Sequence, residues 1–365
     1  MATKAKKLDK YSDLQEILSK ELSLNAARIK FIVLLITSLL KVQNVNFERL
    51  AQGFDNPVEL NSNLRRIQRF FAGFNLSGDS VARLLFKLLP ASKTYRLSLD
   101  RTNRKFGKTN INILVLGVIY KGMSLPILWS FLGDKRGNSS QTERIELLER
   151  FGKLFGTEKI EFVTADREFI GKEWWQYEID KKIRFYNRMR GNMEVTIPGK
   201  GIVKAAWLFN QMPLNTVYAY PKIVRVKDCQ VYLTGMRYIN GDGTLEYLII
   251  ASYDRHDSVF EFYKERWQIE TMFKAFKTGG FNLENTHLTD YVRLDKLLML
   301  ISIAFHWSYK TGIYRDKEVR KIKIKKHGRQ EKSFFLYGLE WIAQAILNNN
   351  TKLIEKLTLT FLSCT

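Results

Sequence analysis

Cysteine is nearly absent. The two residues, Cys229 and Cys364, are far apart and form no CxxC pair. That excludes a disulfide framework and a cysteine-based zinc site, and it suits a reducing cytoplasm. Histidine is almost as scarce: His256, His287, His306 and His327 show no HxxxH spacing. Long apolar runs are missing too. The longest, Phe31 to Leu40, has ten residues with Lys30 and Lys41 at its ends. It is too short to span a bilayer and predicts a buried helix. The N-terminal MATKAKKLDKYSD has no apolar core of a signal peptide. We therefore expect no membrane partner and a cytoplasmic location. Acidic charge is in deficit, with 37 Asp plus Glu against 59 Lys plus Arg, a formal net charge of +22. Such a surplus points to a polyanion, because each neutralised phosphate releases counterions and adds affinity. Nucleic acid is the partner this favours over a merely basic soluble protein.

What is present describes a folded chain. Apolar residues make up 45% and aromatics 13% of 365 residues, enough for one large or two to three modest domains. Residues 9–90 carry apolar residues at helical spacing, broken at Gly53, Asn56-Pro57 and Gly73. Ser77 or Asp79 caps a last helix that stops by Pro90. With Arg65, Arg66 and Arg69 on one helix, this segment reads as a DNA-binding head or, equally, as a plain bundle with a basic face. The pattern then changes to period two. Tyr95 to Asp100 predicts a strand ending in an acid; Ile111 to Tyr120 and Leu125 to Phe131 predict two more, joined at Lys121-Gly122. A helix is expected over Gln141 to Phe155 and a strand over Lys159 to Asp166. A helix over Gly171 to Lys182 and a strand over Ile183 to Met189 complete an α/β plan. Residues 191–253 are rich in Val, Ile, Tyr and Gly and predict a β-rich insertion. One long helix is expected from about Asp257 to Lys277 and another from about Asp290 to Gly312. The resulting division is a head of 1–90, a core of 91–190 and 254–312, the insertion of 191–253, and a basic helical region of 313–365. Its basic residues run from Arg315 to Lys332.

Asp100 ends its strand after the alternating YRLSL and Asp166 ends its own after IEFVTA, so two acids at like ends of neighbouring strands would sit side by side. A lone strand-end aspartate is ordinarily a turn residue. Two in one basic chain set a metal site beside that reading, since hard divalent cations take carboxylate oxygens and two such ions serve phosphodiester chemistry. The third piece is YKERWQIETMFKAFK. On one continuous helix, Tyr263, Arg266, Glu270 and Lys277 fall within roughly 60° of each other. This polar stripe on an aromatic helix is either a functional face or a run of ordinary salt bridges.

The spacing Tyr-x2-Arg-x3-Glu-x6-Lys over 263–277 resembles the signature of the bacterial insertion-sequence-four family of DDE transposases. So do the stretches LDRTNRKFG (99–107), FLGDKRGNS (131–139) and TADREFIG (164–171). The resemblance implies an RNase H-like core interrupted by a β-rich insertion between the second and third acids. Asp100, Asp166 and Glu270 would be the catalytic and metal-binding residues, holding two Mg²⁺ ions, with Mn²⁺ as substitute. It also implies cut-and-paste transposition through a hairpin on the element end, with terminal inverted repeats and target DNA as partners and a homodimer in the complex. A nucleoid-associated bacterial location goes with it. Tyr263, Arg266 and Lys277 would contact DNA beside the scissile phosphate, leaving Arg266 dispensable for folding to within about 1 kcal/mol. Tyr247, where some relatives carry a tryptophan, would stack a flipped base, and Glu168 would stand behind the acids or simply at the surface. The alternatives are a nuclease or resolvase of the same fold that does not join strands, or a catalytically dead DNA-binding protein.

Overall fold

The computed structural model describes residues 10–106, 109–133, 137–326 and 328–362. His327, Cys364, the first nine residues and parts of the 99–107 and 131–139 stretches lie outside them. The chain divides into a helical unit, Met1–Pro90 with Phe273–Thr365, and a sheet unit, Ala91–Met272. The helical unit opens with α1 (Ser12–Glu21), α2 (Ala26–Val42), α3 (Phe47–Gln52), α4 (Leu60–Gly73) and α5 (Gly78–Lys87). Side chains of Asn25, Asn46 and Ser77 accept from the free N–H groups that open α2, α3 and α5, so Ser77 rather than Asp79 is the cap. The apolar run Phe31–Leu40 lies in α2, with Ile32, Val33, Leu35, Ile36, Leu39 and Leu40 buried. No single described helix is long and apolar enough to cross a membrane.

The sheet unit begins with three antiparallel strands: β1 (Tyr95–Phe106), β2 (Thr109–Tyr120) and β3 (Met123–Phe131). Lys121 and Gly122 both take positive φ, at 44° and 88°, the two-residue turn that matches strand twist. Then come α6 (Gln141–Phe155), β4 (Ile160–Ala165), α7 (Lys172–Asp180) and β5 (Phe185–Met189). β4 pairs in parallel with β1 and with β5. Ser140 and Glu143 close a reciprocal capping box at the start of α6. The strands β6 (Glu194–Ile197), β7 (Gly201–Lys204), β8 (Tyr218–Ala219), β9 (Val224–Val226), β10 (Cys229–Ile239) and β11 (Leu245–Ser252) follow. They continue one mixed sheet, in the order β3-β2-β1-β4-β5-β11-β10-β9-β6-β7, with β8 on β10. Two short helices follow, α8 (Val259–Lys264) and α9 (Trp267–Phe276), the second running past the unit's last residue, Met272. Val259 and Tyr263 of α8 pack on Phe162, Tyr186 and Ile250 from one face of the sheet. On β5, Phe185 stacks against Trp175 of α7.

Returning to the helical unit, α10 (Tyr291–Tyr314), α11 (Phe334–Leu347) and α12 (Thr351–Leu362) complete the chain. α10 is buried along most of its length. Its Lys296 donates to the Phe71 carbonyl at 2.8 Å, satisfying one of the orphan carbonyls that end α4. α10 and α11 meet at two glycines. A Cβ on Gly312 would collide with the Phe334 carbonyl, and one on Gly338 with the Ser308 carbonyl. α11 packs on α2, and α12 on α1, so the C-terminal helices group with the first ninety residues.

Three features differ from the expectations. β1 does not end at Asp100; it runs on to Phe106, with β2 as its partner over these last residues. The single helix expected over 257–277 is two, separated by a tight turn. Finally, the basic stretch expected to be helical is a short π-helical extension, Arg315–Val319, followed by an irregular loop with one bridge, Ile324 to Gln330.

Candidate active site

The sheet register sets the first two acids together. β1 and β4 run parallel, and their last pair is Leu99 with Ala165. Asp100 and Asp166 are the residues that follow this pair on the two strands, close enough for the Asp166 charge to act on the Asp100 carboxyl. On the far side of β4 the last pair is Ala165 with Asn187, so Arg188 of β5 stands in the same row. Asp166 is the first residue after β4, whereas Asp100 lies in mid-strand where its parallel neighbour has stopped. Its edge toward β4 is freed by the partner's ending rather than by its own.

The third acid arrives through the break between α8 and α9. Gln268 and Ile269 bond back to the carbonyls of Glu265 and Arg266, three residues behind, in place of four. This tightening coincides with a tertiary bond: Glu265 is pulled to Arg96 on β1 at 2.7 Å, and Arg96 also holds Glu161 at 3.0 Å. The uniform 100° step expected across 263–277 therefore does not apply. Tyr263 is buried against the sheet, and its hydroxyl donates to Asp166 Oδ1 at 3.3 Å. Arg266 is also buried, with its side chain only 5% exposed. One guanidinium nitrogen meets Asp100 Oδ2 at 3.2 Å and the other meets Glu270 Oε1 at 2.7 Å. The geometry corrects the expectation that Arg266 is a surface residue whose loss leaves stability nearly unchanged. Two of the three acids share this one buried cation.

Burial dominates the electrostatics. It pushes the Asp100 carboxyl up to about 7, with the nearby Arg266 charge and the Arg101 N–H pulling the other way. Burial likewise pushes Tyr263 up to about 12, against Arg266. For Arg266 burial works against the charge, but Tyr263, Glu270, Asp100 and Asp166 outweigh it and raise its pKa. Both members of the Asp100–Arg266 pair thus move upward; we take the guanidinium as permanently charged beside a carboxyl that holds its proton to near neutrality. Among the described residues, no three of His, Cys, Asp and Glu converge on one point as they stand. The chemistry of the donors nevertheless fits a hard divalent cation. They are all carboxylates, and the space between Asp100 and Glu270 already takes positive charge.

The remaining expected residues are dispersed. Lys277 falls in the helical unit, one residue past α9, with its Nζ 4.0 Å from Glu284. Tyr247, on β11, donates to Asn210 at 2.5 Å and lies across from Arg237 in the sheet. In α4, Arg65 and Arg69 are exposed on one face. Arg66 instead packs over the Phe31 ring at 5.0 Å. In the basic stretch, Arg315 lies over Tyr337 and Trp341 and Lys332 pairs with Glu340, while Arg320, Lys321, Lys323, Lys325, Lys326 and Arg329 are exposed. Glu168 accepts from Arg101 at 2.6 Å, joining the residues that follow both aspartates.

Sequence reasoning missed three residues. Arg144 of α6 donates to the Ser139 hydroxyl and carbonyl and to the Glu168 carbonyl, bracing the turn that carries Asp166. Arg188 shares the acids' row. Trp267, 57% exposed, lies against the Arg266 guanidinium at 5.1 Å. With Arg188, Tyr238, Phe260 and Tyr263 it lines a cleft of about 420 Å³. Its position beside Arg266 in the chain was the available signal.

The sequence profile of the family described as Transposase DDE domain matches residues 92–307. That span holds the whole sheet, all three acids, the helices α6 to α9 and the first part of α10. No curated protein sequence matches the chain. Among solved structures, the chain is similar to a piggyBac transposase in a cryo-EM synaptic complex with hairpin DNA. Identity is 12%, with 90% of this chain and 72% of that one covered and a TM-score of 0.46.

Proposed function

The chain belongs to the DDE transposase family, and from that premise we propose a cut-and-paste enzyme of the insertion-sequence-four kind, with Asp100, Asp166 and Glu270 as its catalytic acids. The observation that supports the assignment is one buried arginine, Arg266, held between Asp100 and Glu270, with Asp166 following the strand beside Asp100. The acids would hold two divalent ions, Mg²⁺ in the cell and Mn²⁺ as a substitute, and bound there the ions supply an activated oxygen nucleophile and neutralise the leaving oxygen. The protein's own share is positional. Parallel strands fix Asp100 and Asp166, Arg144 braces the turn after Asp166, and Arg96 anchors the bend that turns Glu270 inward.

The proposed reaction begins with hydrolysis at an element end, which frees a 3′-hydroxyl. That hydroxyl attacks the opposite strand and leaves a hairpin on the element; a second water opens the hairpin, and the 3′-hydroxyl then attacks target DNA. Two copies of the chain would bring two ends together. An RNase H-like core interrupted by the strands of 191–253 agrees with the mixed sheet. Exposed Arg65 and Arg69 and the basic loop of 320–329 supply phosphate contacts, which makes binding weaken steeply with salt. Tyr247 remains the proposed base-stacking residue on family resemblance alone, with Trp267 as the aromatic nearer the acids.

The test uses a plasmid carrying the gene with its own flanking DNA. It is incubated with purified protein and Mg²⁺, and the products are resolved on denaturing gels. Nicks, terminal hairpins and joined products are expected, and none with Asp100→Ala. Joined products without hairpins would discard the hairpin step alone. Nicks without joining would favour a resolvase or nuclease, and bound but intact DNA a dead binding protein.

A further inference from the structure

We propose that Arg266 is an exchangeable counter-cation: it occupies the gap between Asp100 and Glu270 when no divalent ion is bound, and it leaves for a DNA phosphate when one arrives. The proposal rests on the reading of these acids as the metal site. Its own support is how the guanidinium is held. One nitrogen faces Asp100 at 3.2 Å and the other Glu270 at 2.7 Å, while the buried Nε has no hydrogen-bond partner. Asp100 is doubly bound, since its other oxygen accepts the Arg101 N–H at 2.8 Å. One positive charge is thus shared by two acids and offsets only part of their charge, and it lies between the oxygens that an ion bridging them would use.

A guanidinium on Asp100 Oδ2 and Glu270 Oε1 and a divalent cation bridging the same two oxygens compete for them and repel each other. Ion binding must therefore displace Arg266. Departure toward solvent is open on one side, where Glu270 is 41% exposed and Trp267 is 57% exposed. A phosphate diester offers the displaced guanidinium a two-pronged partner as good as the one it leaves. The ion and the DNA then assist each other: each lowers the cost of moving Arg266, so each raises the other's affinity by the same factor. Without DNA the acids stay satisfied and the ion binds poorly, which restrains cleavage away from a bound substrate.

The probe is Mn²⁺, titrated into the full-length protein without DNA and followed by the loss of the free-ion paramagnetic resonance signal. Wild type should bind weakly, and Arg266→Ala about tenfold more tightly or better. Adding a duplex oligonucleotide from the gene's flank should tighten wild type by a similar factor and leave the variant nearly unmoved. The variant's melting temperature should also rise with Mn²⁺ far more than that of wild type. If Arg266→Ala does not fold, Arg266→Lys serves, because one ammonium cannot span both acids as the fork does; it should lie between the two. Equal Mn²⁺ affinity in wild type and variant, both abolished by Asp100→Asn, would overturn the exchange and keep the acid centre. Binding that Asp100→Asn leaves untouched would overturn the acid centre and the proposal with it.

Discussion

The sheet unit buries two acids beside two arginines, and the pairs behave differently. Glu178 of α7 has both oxygens buried with no hydrogen-bond partner, and Arg144 nearby has one nitrogen equally without one. Burial pushes Glu178 well above the usual carboxylate range, with Arg144 pulling back. The same two forces act on Asp100, with Arg266 in place of Arg144. The difference is where the arginine directs its donors. Arg144 turns its bonds to Ser139 and to the Glu168 carbonyl, leaving Glu178 as a neutral packing group. Arg266 turns both of its terminal nitrogens on acids. Burial of a carboxyl therefore does not identify a site; the aim of the neighbouring cation does.

Function is the sharpest way to break this comparison. Asp100→Ala should reduce cleavage in Mg²⁺ by on the order of a thousandfold or more, while Glu178→Gln keeps the wild-type rate within about twofold. A Glu178→Gln protein that folds yet cannot cleave would make the pairs equivalent. Stability comes next. Arg266→Ala should cost about 1.5–3 kcal/mol in metal-free urea unfolding, because it removes a buried cation hydrogen-bonded to two acids. A loss below about 1 kcal/mol would return Arg266 to the surface role that helical spacing suggested.

A smaller effect separates the acids by pH. Glu178 has a folded pKa above its unfolded one, so its penalty is absent below the ordinary carboxylate range. The penalty grows as pH rises toward the folded value. Glu178→Gln should match wild type near pH 4 and exceed it increasingly toward alkaline pH in chemical unfolding. A constant gap between the two would mean that Glu178 is charged throughout. The smallest effect is expected for Tyr263→Phe, which removes one long bond to Asp166 from a residue held chiefly by packing. We expect a loss of about 0.5–1.5 kcal/mol by thermal unfolding.

Much of this was legible in the chain. The helix over Gln141–Phe155 came from its spacing, and the β2–β3 hairpin from Lys121-Gly122. Asp166 was recognisable as the acid that ends the strand IEFVTA. The rest depended on partners distant in sequence. The predicted strand stopped at Asp100, yet Arg101 to Lys105 form strand against β2, so Asp100 seemed terminal when it is central. The bend between α8 and α9 is fixed by Glu265 reaching Arg96, which local periodicity cannot register. Arg188 joins the acids only once β5 is known to lie beside β4. The burial of Arg266 follows from that bend and so was equally hidden.

The pairing of β1 with β4 also fixes a rule of indels. Asp166 faces Asp100 by parity, since successive side chains alternate between faces. Deleting one residue from Ile160–Ala165 would turn Asp166 to the opposite side of the sheet; deleting two would restore the side but draw it back by roughly 6.6 Å. Length changes in the exposed turn at 240–243, between β10 and β11, carry no such parity penalty, because no acid of the site follows that turn on either strand. In this protein, variation in length should therefore collect at turns of that kind, and the six residues before Asp166 should keep their number even where their identities drift.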